Sequence, residues 1–271
     1  MLKITTNDPH KVTKLVNIFR YLKNVVTDIN LIFSKKGLYF QGMDDSHVSL
    51  IELSLDRGWF NTFSIGLDEN DNTNNAENDV SLGVNCEMIF TIMNFWTEGY
   101  NMEIFTEKPD KLSFKFSGEK KITRLYEIPL MNIEHELIDI PNNDADALII
   151  IGSTEFKTMV NELATFGDTI IIKNVDDEET YLVLESSGEL GAIKIKIKEG
   201  DIIEYTEKQP GYFRLGYGTK FIITSCDFHK ISDEINLHIC NKNNPLKLEY
   251  LLGGNKDNYL RLFVAPKIDI D

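Results

Sequence analysis

Helical and extended patterns of apolar positions divide the chain into four predicted helices separated by groups of predicted strands. The first helix is predicted over residues 9–26, because Val12, Leu15 and Phe19 recur at helical spacing and Asp8 can cap its start. The other helices are predicted over residues 85–95, 154–166 and 220–230. The predicted apolar face of the second helix consists of Met88, Ile89, Ile92, Met93 and Trp96.

Strands are predicted between the helices, where β-branched and aromatic residues are frequent and often alternate with polar ones. In the first half they cover residues 29–34, 38–41, 48–55, 60–65, 101–106, 111–117 and 121–128. In the second half they cover residues 147–152, 169–174, 180–185, 191–198, 236–241, 246–252 and 259–264. Residues 67–79 are acidic and poor in apolar side chains, so a solvated loop is predicted there.

The order helix, strands, helix, strands occurs twice along the chain, which indicates an internal duplication. The predicted fold class is therefore α+β, with two similar domains over residues 1–129 and 145–271. Residues 130–144 have a looser pattern, punctuated by Pro129 and Pro141, and are the predicted connector between the domains.

The composition is that of a globular protein. A chain of 271 residues suits two domains, and its 42% hydrophobic and 26% charged residues exclude a disordered or low-complexity protein. No apolar run approaches the roughly 20 residues that span a bilayer, and no signal-peptide pattern is visible, so no membrane association is expected. Cys86, Cys226 and Cys240 are an odd number without CxxC spacing, which argues against a disulfide framework or a zinc site.

No catalytic motif is supported by the sequence. The glycine-rich residues 211–219 lack the Lys-Ser/Thr pair of a phosphate-binding loop, and the His-Glu pair at 135–136 lacks the second histidine of a zinc protease. The carboxylates of Asp44, Asp45 and residues 176–179 are more typical of solvated turns than of paired acid–base groups. No enzymatic activity, metal or cofactor is therefore predicted, and a hydrolase that uses the acidic loops is an alternative without positive support.

Positive charge is concentrated on the predicted helices of a chain whose formal net charge is −15. The first helix carries four basic residues and no acidic one, so it can attract phosphate groups without reading a base sequence. A solvated helix face is the alternative interpretation. The candidate phosphate-binding residues on the helices, which are also the candidate DNA-binding residues under the resemblance described next, are Lys11, Lys14, Arg20, Lys23, Lys157, Lys220 and Lys230.

Five segments resemble one protein family, in the order in which that family carries them. Residues 37–53, GLYFQGMDDSHVSLIEL, resemble the signature segment of the proliferating cell nuclear antigen (PCNA) family, the eukaryotic-type DNA sliding clamps. Residues 260–268, LRLFVAPKI, resemble the C-terminal segment of that family. Shorter resemblances occur at residues 82–85, 156–168 and 185–191, so the matches extend over nearly the whole chain.

The resemblance implies a DNA clamp fold and a ring-shaped homotrimer of six similar domains, whose helices line a central hole. Such a clamp encircles double-stranded DNA independently of its sequence and has no catalytic activity. It tethers a DNA polymerase, a clamp loader and other proteins with PCNA-interacting peptides, in the nucleus or, for a viral member, at the viral replication site. The expected trimer contacts are Tyr126 of one copy and, in the next copy, Gly188 and Gly191.

The resemblance also implies a groove for a partner peptide beneath the connector, where a short helical turn and two aromatic side chains bind. The matching residues are Met43, His47, Val48, Leu50, Ile138, Ile140, Pro141, Pro245, Phe263, Val264, Ala265, Pro266, Lys267 and Ile268. A methionine suits an adaptable binding surface, while ordinary core packing is the alternative for Met43 and Ile138.

The chain departs from the family on two helices. Thr91, Asn94, Thr158 and Asn161 occupy positions that the family fills with basic residues, so DNA contact is expected to depend mainly on the first helix. The thinner basic coverage keeps a second function open, that of a clamp-like checkpoint or scaffold subunit that binds partners without sliding as a homotrimer.

Overall fold

The computed structural model describes residues 2–65, 79–119, 121–134, 137–140, 145–175, 180–207, 212–240, 244–253 and 255–268. The chain splits into two compact units of three segments each. The first unit comprises Met1–Gly42, Glu52–Ile138 and Leu252–Tyr259, and the second comprises Met43–Ile51, Asp139–Leu251 and Leu260–Asp271. Pro141, the pairs at 135–136 and 176–179, and all but the last residue of the predicted acidic loop lie outside the described residues.

The same order of elements occurs in both halves of the chain. The first half contains β1 (Leu2–Thr6), α1 (Pro9–Leu22), β2 (Asp28–Phe33), β3 (Gly37–Met43), β4 (Ser49–Asp56), β5 (Thr62–Ile65), β6 (Val80–Asn85), α2 (Cys86–Met93), β7 (Asn101–Phe105), β8 (Lys111–Ser117) and β9 (Arg124–Pro129). The second half contains β10 (Ala147–Gly152), α3 (Ser153–Ala164), β11 (Thr169–Lys173), β12 (Thr180–Gly188), β13 (Gly191–Lys198), β14 (Glu204–Glu207), β15 (Arg214–Gly218), α4 (Thr219–Cys226), β16 (Glu234–Ile239), β17 (Leu246–Leu251) and β18 (Tyr259–Val264). Each half is thus a strand, a helix, five strands, a helix and three strands, which confirms the predicted duplication.

The strand order within the sheets is also repeated. The order β5-β1-β7-β8-β9 in the first half corresponds to β14-β10-β16-β17-β18 in the second, and β4-β3-β2-β6 corresponds to β13-β12-β11-β15. Neighbouring strands pair in the antiparallel direction, for example β1 with β7 and β10 with β16. This repetition confirms the α+β fold class with two similar sets of helices and strands.

Each unit packs a pair of helices beside each other over its strands. In the first unit α1 lies beside α2 and buries Val12, Leu15 and Phe19, as their spacing predicts. In the second unit α3 lies beside α4 and buries Phe156 and Val160. Among the described residues, no helix has both the length and the apolar character needed to cross a membrane.

The predicted apolar face of α2 is wrong at two residues, because Met88 lies on the exposed side and Trp96 lies beyond the helix, which ends at Met93. Met88 is 45% exposed, whereas Cys86, Ile89 and Ile92 are buried. Because the helix begins at Cys86, the positions that share its buried side follow at helical spacing from that residue, and Met88 lies between them on the outer side.

The end of α1 is also wrong in the prediction. The helix ends at Leu22, and the amides of Val25 and Val26 both donate to the carbonyl oxygen of Leu22, at 2.8 and 2.9 Å, in a closing turn. These two valines and Thr27 are β-branched, and such residues favour extended backbone over helix. Val26 is buried four residues after Leu22, so it imitates a helical spacing without continuing the helix.

Four short strands were absent from the prediction: β1, β6, β14 and β15. In β15, Gly216 and Gly218 suggested a turn, yet the strand pairs with β11 over its whole length, from Thr169 opposite Gly218 to Lys173 opposite Arg214. The predicted fourth helix is likewise shorter, because α4 ends at Cys226 and a 3₁₀ turn over Asp227–Ile231 follows it.

Candidate functional site

The first half of α1 carries two lysines whose ammonium groups bind backbone carbonyls of the first unit. Lys11 Nζ donates to the Trp59 carbonyl oxygen at 2.6 Å and lies 5.3 Å from the centre of the indole ring. Lys14 Nζ donates to the carbonyl oxygen of Leu252 at 3.1 Å. A carbonyl oxygen carries no full negative charge, so these contacts orient the ammonium groups and do not themselves cancel their charge.

The second half of α1 and its C-cap residue Lys23 place two cations over α2. Arg20 and Lys23 lie 5.8 and 4.9 Å from the ring centre of Phe90. Arg20 Nη2 donates to Asn94 Oδ1 at 3.4 Å, and Lys23 Nζ lies 3.5 Å from the carboxylate of the exposed Glu87. An exposed ion pair of this kind contributes at most about 1 kcal/mol, so a phosphate group can compete for the lysine. The sequence did not indicate that α1 would supply cations to the surface of α2.

The helix surface of the second unit is less positive. Lys157 Nζ pairs with Asp227 Oδ1 at 2.8 Å, which offsets one of its cations. Lys220 and Lys230 are exposed. Burial, with the nearby Lys157 charge, lowers the pKa of His229, so this imidazole is neutral at physiological pH. Together with its cap residue Lys23, α1 carries four of the predicted cations, whereas the second unit carries three, of which Lys157 is paired with Asp227.

The connector is bound to the first unit at its start. The Met131 amide donates to the Gly83 carbonyl oxygen at 2.8 Å, within an isolated antiparallel bridge between these residues. A side chain at Gly83 would meet the Met131 carbonyl oxygen at 2.2 Å, so only glycine permits this approach. Further along, Asn30 Nδ2 donates to the Ile133 carbonyl oxygen at 3.0 Å. The connector thus contacts β6 and then its neighbour β2.

The connector is bound a third time at Ile138, on the next strand of the sheet. Gln41 of β3 accepts from the Ile138 amide through Oε1 at 2.7 Å and donates to the Ile138 carbonyl oxygen through Nε2 at 3.0 Å. The side chain of Ile138 remains 43% exposed. Ordinary core packing, the alternative considered for this residue, does not fit that exposure. Gln41 is a functional candidate that the sequence analysis did not identify.

The signature segment forms a tight loop around one carboxylate in the second unit. Asp44 accepts from the amides of Ser46 at 3.0 Å and Val48 at 2.9 Å, and it also accepts from the amide and hydroxyl of Ser49. Burial alone would raise the pKa of Asp44, but the hydrogen bonds from Ser46 and Ser49 outweigh it and hold this pKa below its usual value. Asp44 is therefore a structural loop residue, which agrees with the prediction of a turn.

This loop presents two of the predicted groove residues together. His47 has a φ of 57°, the left-handed conformation, and its Nδ1 lies 3.0 Å from the sulfur of Met43. The Val48 carbonyl oxygen accepts from the Ala265 amide at 3.0 Å, so the C-terminal segment lies against the loop. The Lys267 amide in turn donates to the Gly216 carbonyl oxygen at 2.8 Å.

The remaining predicted groove residues differ in exposure. Leu50, Phe263 and Val264 are buried in β4 and β18, so they support the surface rather than line it. Four further residues of the predicted groove are at least partly exposed to solvent: Ile140, Pro245, Pro266 and Ile268.

The residues predicted at the trimer contact lie on three strands, with Tyr126 on β9, Gly188 at the end of β12 and Gly191 at the start of β13. Tyr126 of β9 stacks on Phe95, with ring centres 5.7 Å apart and planes 19° apart, and Phe95 is 50% exposed. The pair Gly188 and Gly191 closes the hairpin between β12 and β13, where Gly191 has a φ of 117° that favours glycine. Among the described strands, β9 and β13 each end the order of their sheet.

A buried carboxylate stabilises the strands that lead to the C-terminal segment. Glu249 of β17 accepts from Arg261 Nε at 2.6 Å and from Asn236 Nδ2 at 3.2 Å, and His238 Nε2 lies 3.2 Å from it. Burial alone would raise the pKa of Glu249, but the contacts with His238 and Arg261 outweigh it and hold this pKa well below its usual value. The cluster was not visible in the sequence, because it depends on the register of three strands.

Glu249 is expected to make stability depend on acid pH. Its folded pKa is depressed, so its contribution is fully present above the unfolded value of about 4.3 and is lost as the pH falls towards the folded value. Glu249→Gln should lower the free energy of unfolding at pH 7 by about 3 kcal/mol and flatten the decline below pH 5, in urea titrations over a pH series. Glu234→Gln, an exposed change on β16, is the control. An unchanged acid decline in Glu249→Gln would contradict this assignment.

The three cysteines are buried. Burial raises the pKa of Cys86 to about 12, and it also raises the pKa of Cys226 and Cys240, so these thiols stay protonated at neutral pH. In the part of the chain that the structure describes, no three His, Cys, Asp or Glu side chains lie together as metal ligands.

Comparison with known proteins identifies similarity along both halves of the chain. Residues 10–137 match the family model described as proliferating cell nuclear antigen, N-terminal domain, and residues 139–268 match the model of its C-terminal domain. Proliferating cell nuclear antigen of Chaetomium thermophilum is 26% identical over 262 residues, covering 92% of this chain and 93% of the relative. The probable DNA polymerase sliding clamp 2 of Paramecium bursaria Chlorella virus 1 is 24% identical over 272 residues, covering 100% of this chain and 92% of the relative.

Proposed function

Because this chain belongs to the proliferating cell nuclear antigen family, and is therefore a sliding clamp and DNA polymerase processivity factor, we propose that it works as a homotrimeric ring closed around duplex DNA. Proteins of this family are clamps rather than enzymes, and on this proposal the chain needs no catalytic residue and no cofactor. It acts in the nucleus or, if the chain is viral, at the viral replication site.

The repeated strand order is the observation that carries the ring. Strand β18 is the counterpart of β9, and β4 is the counterpart of β13. Within the second unit the Ala265 amide donates to the Val48 carbonyl oxygen, so the residues that follow β18 contact the residues that precede β4. Pairing of β9 in one copy with β13 in the next repeats this contact between copies. It also provides hydrogen-bond partners for the backbone N–H and C=O groups of two edge strands. Tyr126 and the hairpin of Gly188 and Gly191 then lie at the contact.

The cations of α1 provide the DNA contact in this proposal. They are spread along the helix and are aimed at no base-specific partner, so they suit phosphates on any sequence. Contacts of this kind are individually weak and sensitive to salt, which allows the ring to move along the duplex. Retention on DNA then comes from ring closure, and a tethered polymerase that releases the template rebinds before it diffuses away.

The partner groove is proposed at the residues that the resemblance identifies. Three within-unit features support it: the exposed side chain of Ile138 on a fixed backbone, the loop that presents Met43 beside His47, and the attachment of the C-terminal segment to that loop. A rigid backbone with exposed apolar side chains loses little entropy when a peptide binds. The expected occupants are peptides of a polymerase, a clamp loader and other replication proteins.

The double change Ile138→Ala with Ile140→Ala is expected to weaken binding of a partner peptide about tenfold or more, because apolar contacts at two positions are lost. The probe is a synthetic peptide of the form Q-x-x-hydrophobic-x-x-aromatic-aromatic, and the measurement is isothermal titration calorimetry. Ile203→Ala, a matched change at an exposed isoleucine outside the groove, should leave the affinity unchanged. Equal affinity of the wild type and the double variant would exclude this site.

A further inference from the structure

The first unit contains a buried carboxylate that holds two tyrosine hydroxyls. Glu52 of β4 is 8% exposed, and its Oε1 accepts from Tyr39 Oη at 3.2 Å and from Tyr259 Oη at 3.2 Å. Burial and the charge of Glu52 raise the pKa of Tyr39, so this hydroxyl keeps its proton and remains a donor. A buried carboxylate is costly unless such donors satisfy it, which argues that the arrangement has a role.

The hydroxyl of Tyr39 extends this contact to Gln41, which stands two residues further along β3 and therefore on the same face. Gln41 Nε2 lies 3.5 Å from Tyr39 Oη. A tyrosine hydroxyl has a single proton, and Tyr39 gives it to Glu52, so towards Gln41 it can only accept. This fixes which end of the Gln41 amide is the nitrogen.

The orientation of that amide decides how the connector is held. With its nitrogen next to Tyr39, Gln41 has one N–H for Tyr39, one N–H for the Ile138 carbonyl oxygen, and its own oxygen for the Ile138 amide. If the Gln41 amide were reversed, its N–H groups would face the Ile138 N–H and its oxygen would face the Ile138 carbonyl oxygen. Neither hydrogen bond could then form. The hydrogen bonds from Tyr39 to Glu52 and from Gln41 to Tyr39 therefore hold the Gln41 amide in the orientation that pairs with the Ile138 backbone.

We propose that Glu52, acting through Tyr39, orients the Gln41 amide and so fixes the connector at Ile138 as a preformed edge for a partner peptide. Glu52 and Tyr39 are positioning residues that need no contact with the peptide. The link to a partner peptide rests on the proposed groove, whereas the fixing of Ile138 is a property of the free protein and can be measured without any partner.

The test compares two tyrosine variants that differ only in their link to Gln41. Tyr39→Phe removes the acceptor that orients Gln41, and it should speed hydrogen exchange of the Ile138 amide about tenfold or more. Tyr259→Phe removes a bond to the same carboxylate but leaves the contact between Tyr39 and Gln41, so exchange at Ile138 should change little. The Met131 amide, bonded to the Gly83 carbonyl oxygen, is the internal reference and should be unaffected in both variants.

Glu52→Gln is the conservative variant, because its side-chain oxygen can still accept from Tyr39, and exchange at Ile138 should rise less than in Tyr39→Phe. Unchanged exchange in Tyr39→Phe, or equal acceleration in Tyr259→Phe, would overturn the proposal. Peptide affinity, measured by calorimetry on the same variants, should fall severalfold in Tyr39→Phe alone. Faster exchange with unchanged affinity would overturn the role in partner binding, whereas a wild type that binds no peptide would instead overturn the groove.

Discussion

Tyr126→Ala is expected to convert the ring into monomers. Tyr126 lies on β9, which ends its sheet, and stacks on the half-exposed Phe95 while it also contacts Phe116 at 5.6 Å. Truncation of an aromatic residue that anchors an interface typically costs about 2 kcal/mol or more, and the proposed ring contains three such contacts. Light scattering should therefore give about three times 31.1 kDa for the wild type and about 31.1 kDa for the variant at micromolar concentration.

Two controls separate this effect from general damage to the fold. Tyr126→Phe keeps the stacked ring and should remain trimeric. Tyr212→Ala truncates another exposed tyrosine away from β9 and β13 and should also remain trimeric. A Tyr126→Ala variant that keeps the trimer mass would contradict the proposed pairing of β9 with β13, and a wild-type monomer would favour the scaffold function instead.

Lys14→Glu combined with Arg20→Glu is expected to weaken polymerase stimulation on long primed templates about tenfold or more at moderate salt, without changing the trimer mass. Each copy loses two cations of α1 and gains two carboxylates that repel phosphates. The salt dependence should also become shallower, because each lost phosphate contact lowers the slope of log affinity against log salt by about 0.9. Product length on a singly primed circular template, with the polymerase that this clamp serves, is the measurement.

The matched control changes the same charge elsewhere in the first unit. Lys35→Glu with Lys36→Glu reverses two exposed lysines in the turn between β2 and β3, away from the helices. Stimulation should remain close to that of the wild type. Equal losses in both double variants would mean that only net charge matters, and no loss in the helix variant would exclude α1 as the DNA contact.

Local signals explain which parts of the fold were predictable. Asp8 caps α1 by accepting from the His10 amide at 2.9 Å, as its position before a proline predicts. Strands β8, β10, β13 and β18 have the predicted bounds, because side-chain alternation and turn residues define both ends. The repetition of such elements was enough to establish two similar halves.

Contacts between distant parts of the chain explain what sequence patterns missed. The hydroxyl of Tyr259 reaches Glu52 across 207 positions, and Lys14 reaches the Leu252 carbonyl oxygen across 238. Neither separation leaves a periodic signal, because these contacts exist only after the strands have paired. The residues of the proposed groove could be inferred from resemblance, whereas the Gln41 side chain that holds Ile138 required the paired strands to be seen.

Topological linkage to DNA is the most direct test of the closed ring. The protein is threaded onto a linear duplex with one end attached to a bead, the free end is then blocked by a bulky protein, and the beads are washed at high salt. High salt removes proteins held by phosphate contacts alone, but it leaves a closed ring in place. The protein should therefore survive the wash and be released when a restriction enzyme cuts the duplex. Complete loss during the wash, before any cut, would contradict a closed ring.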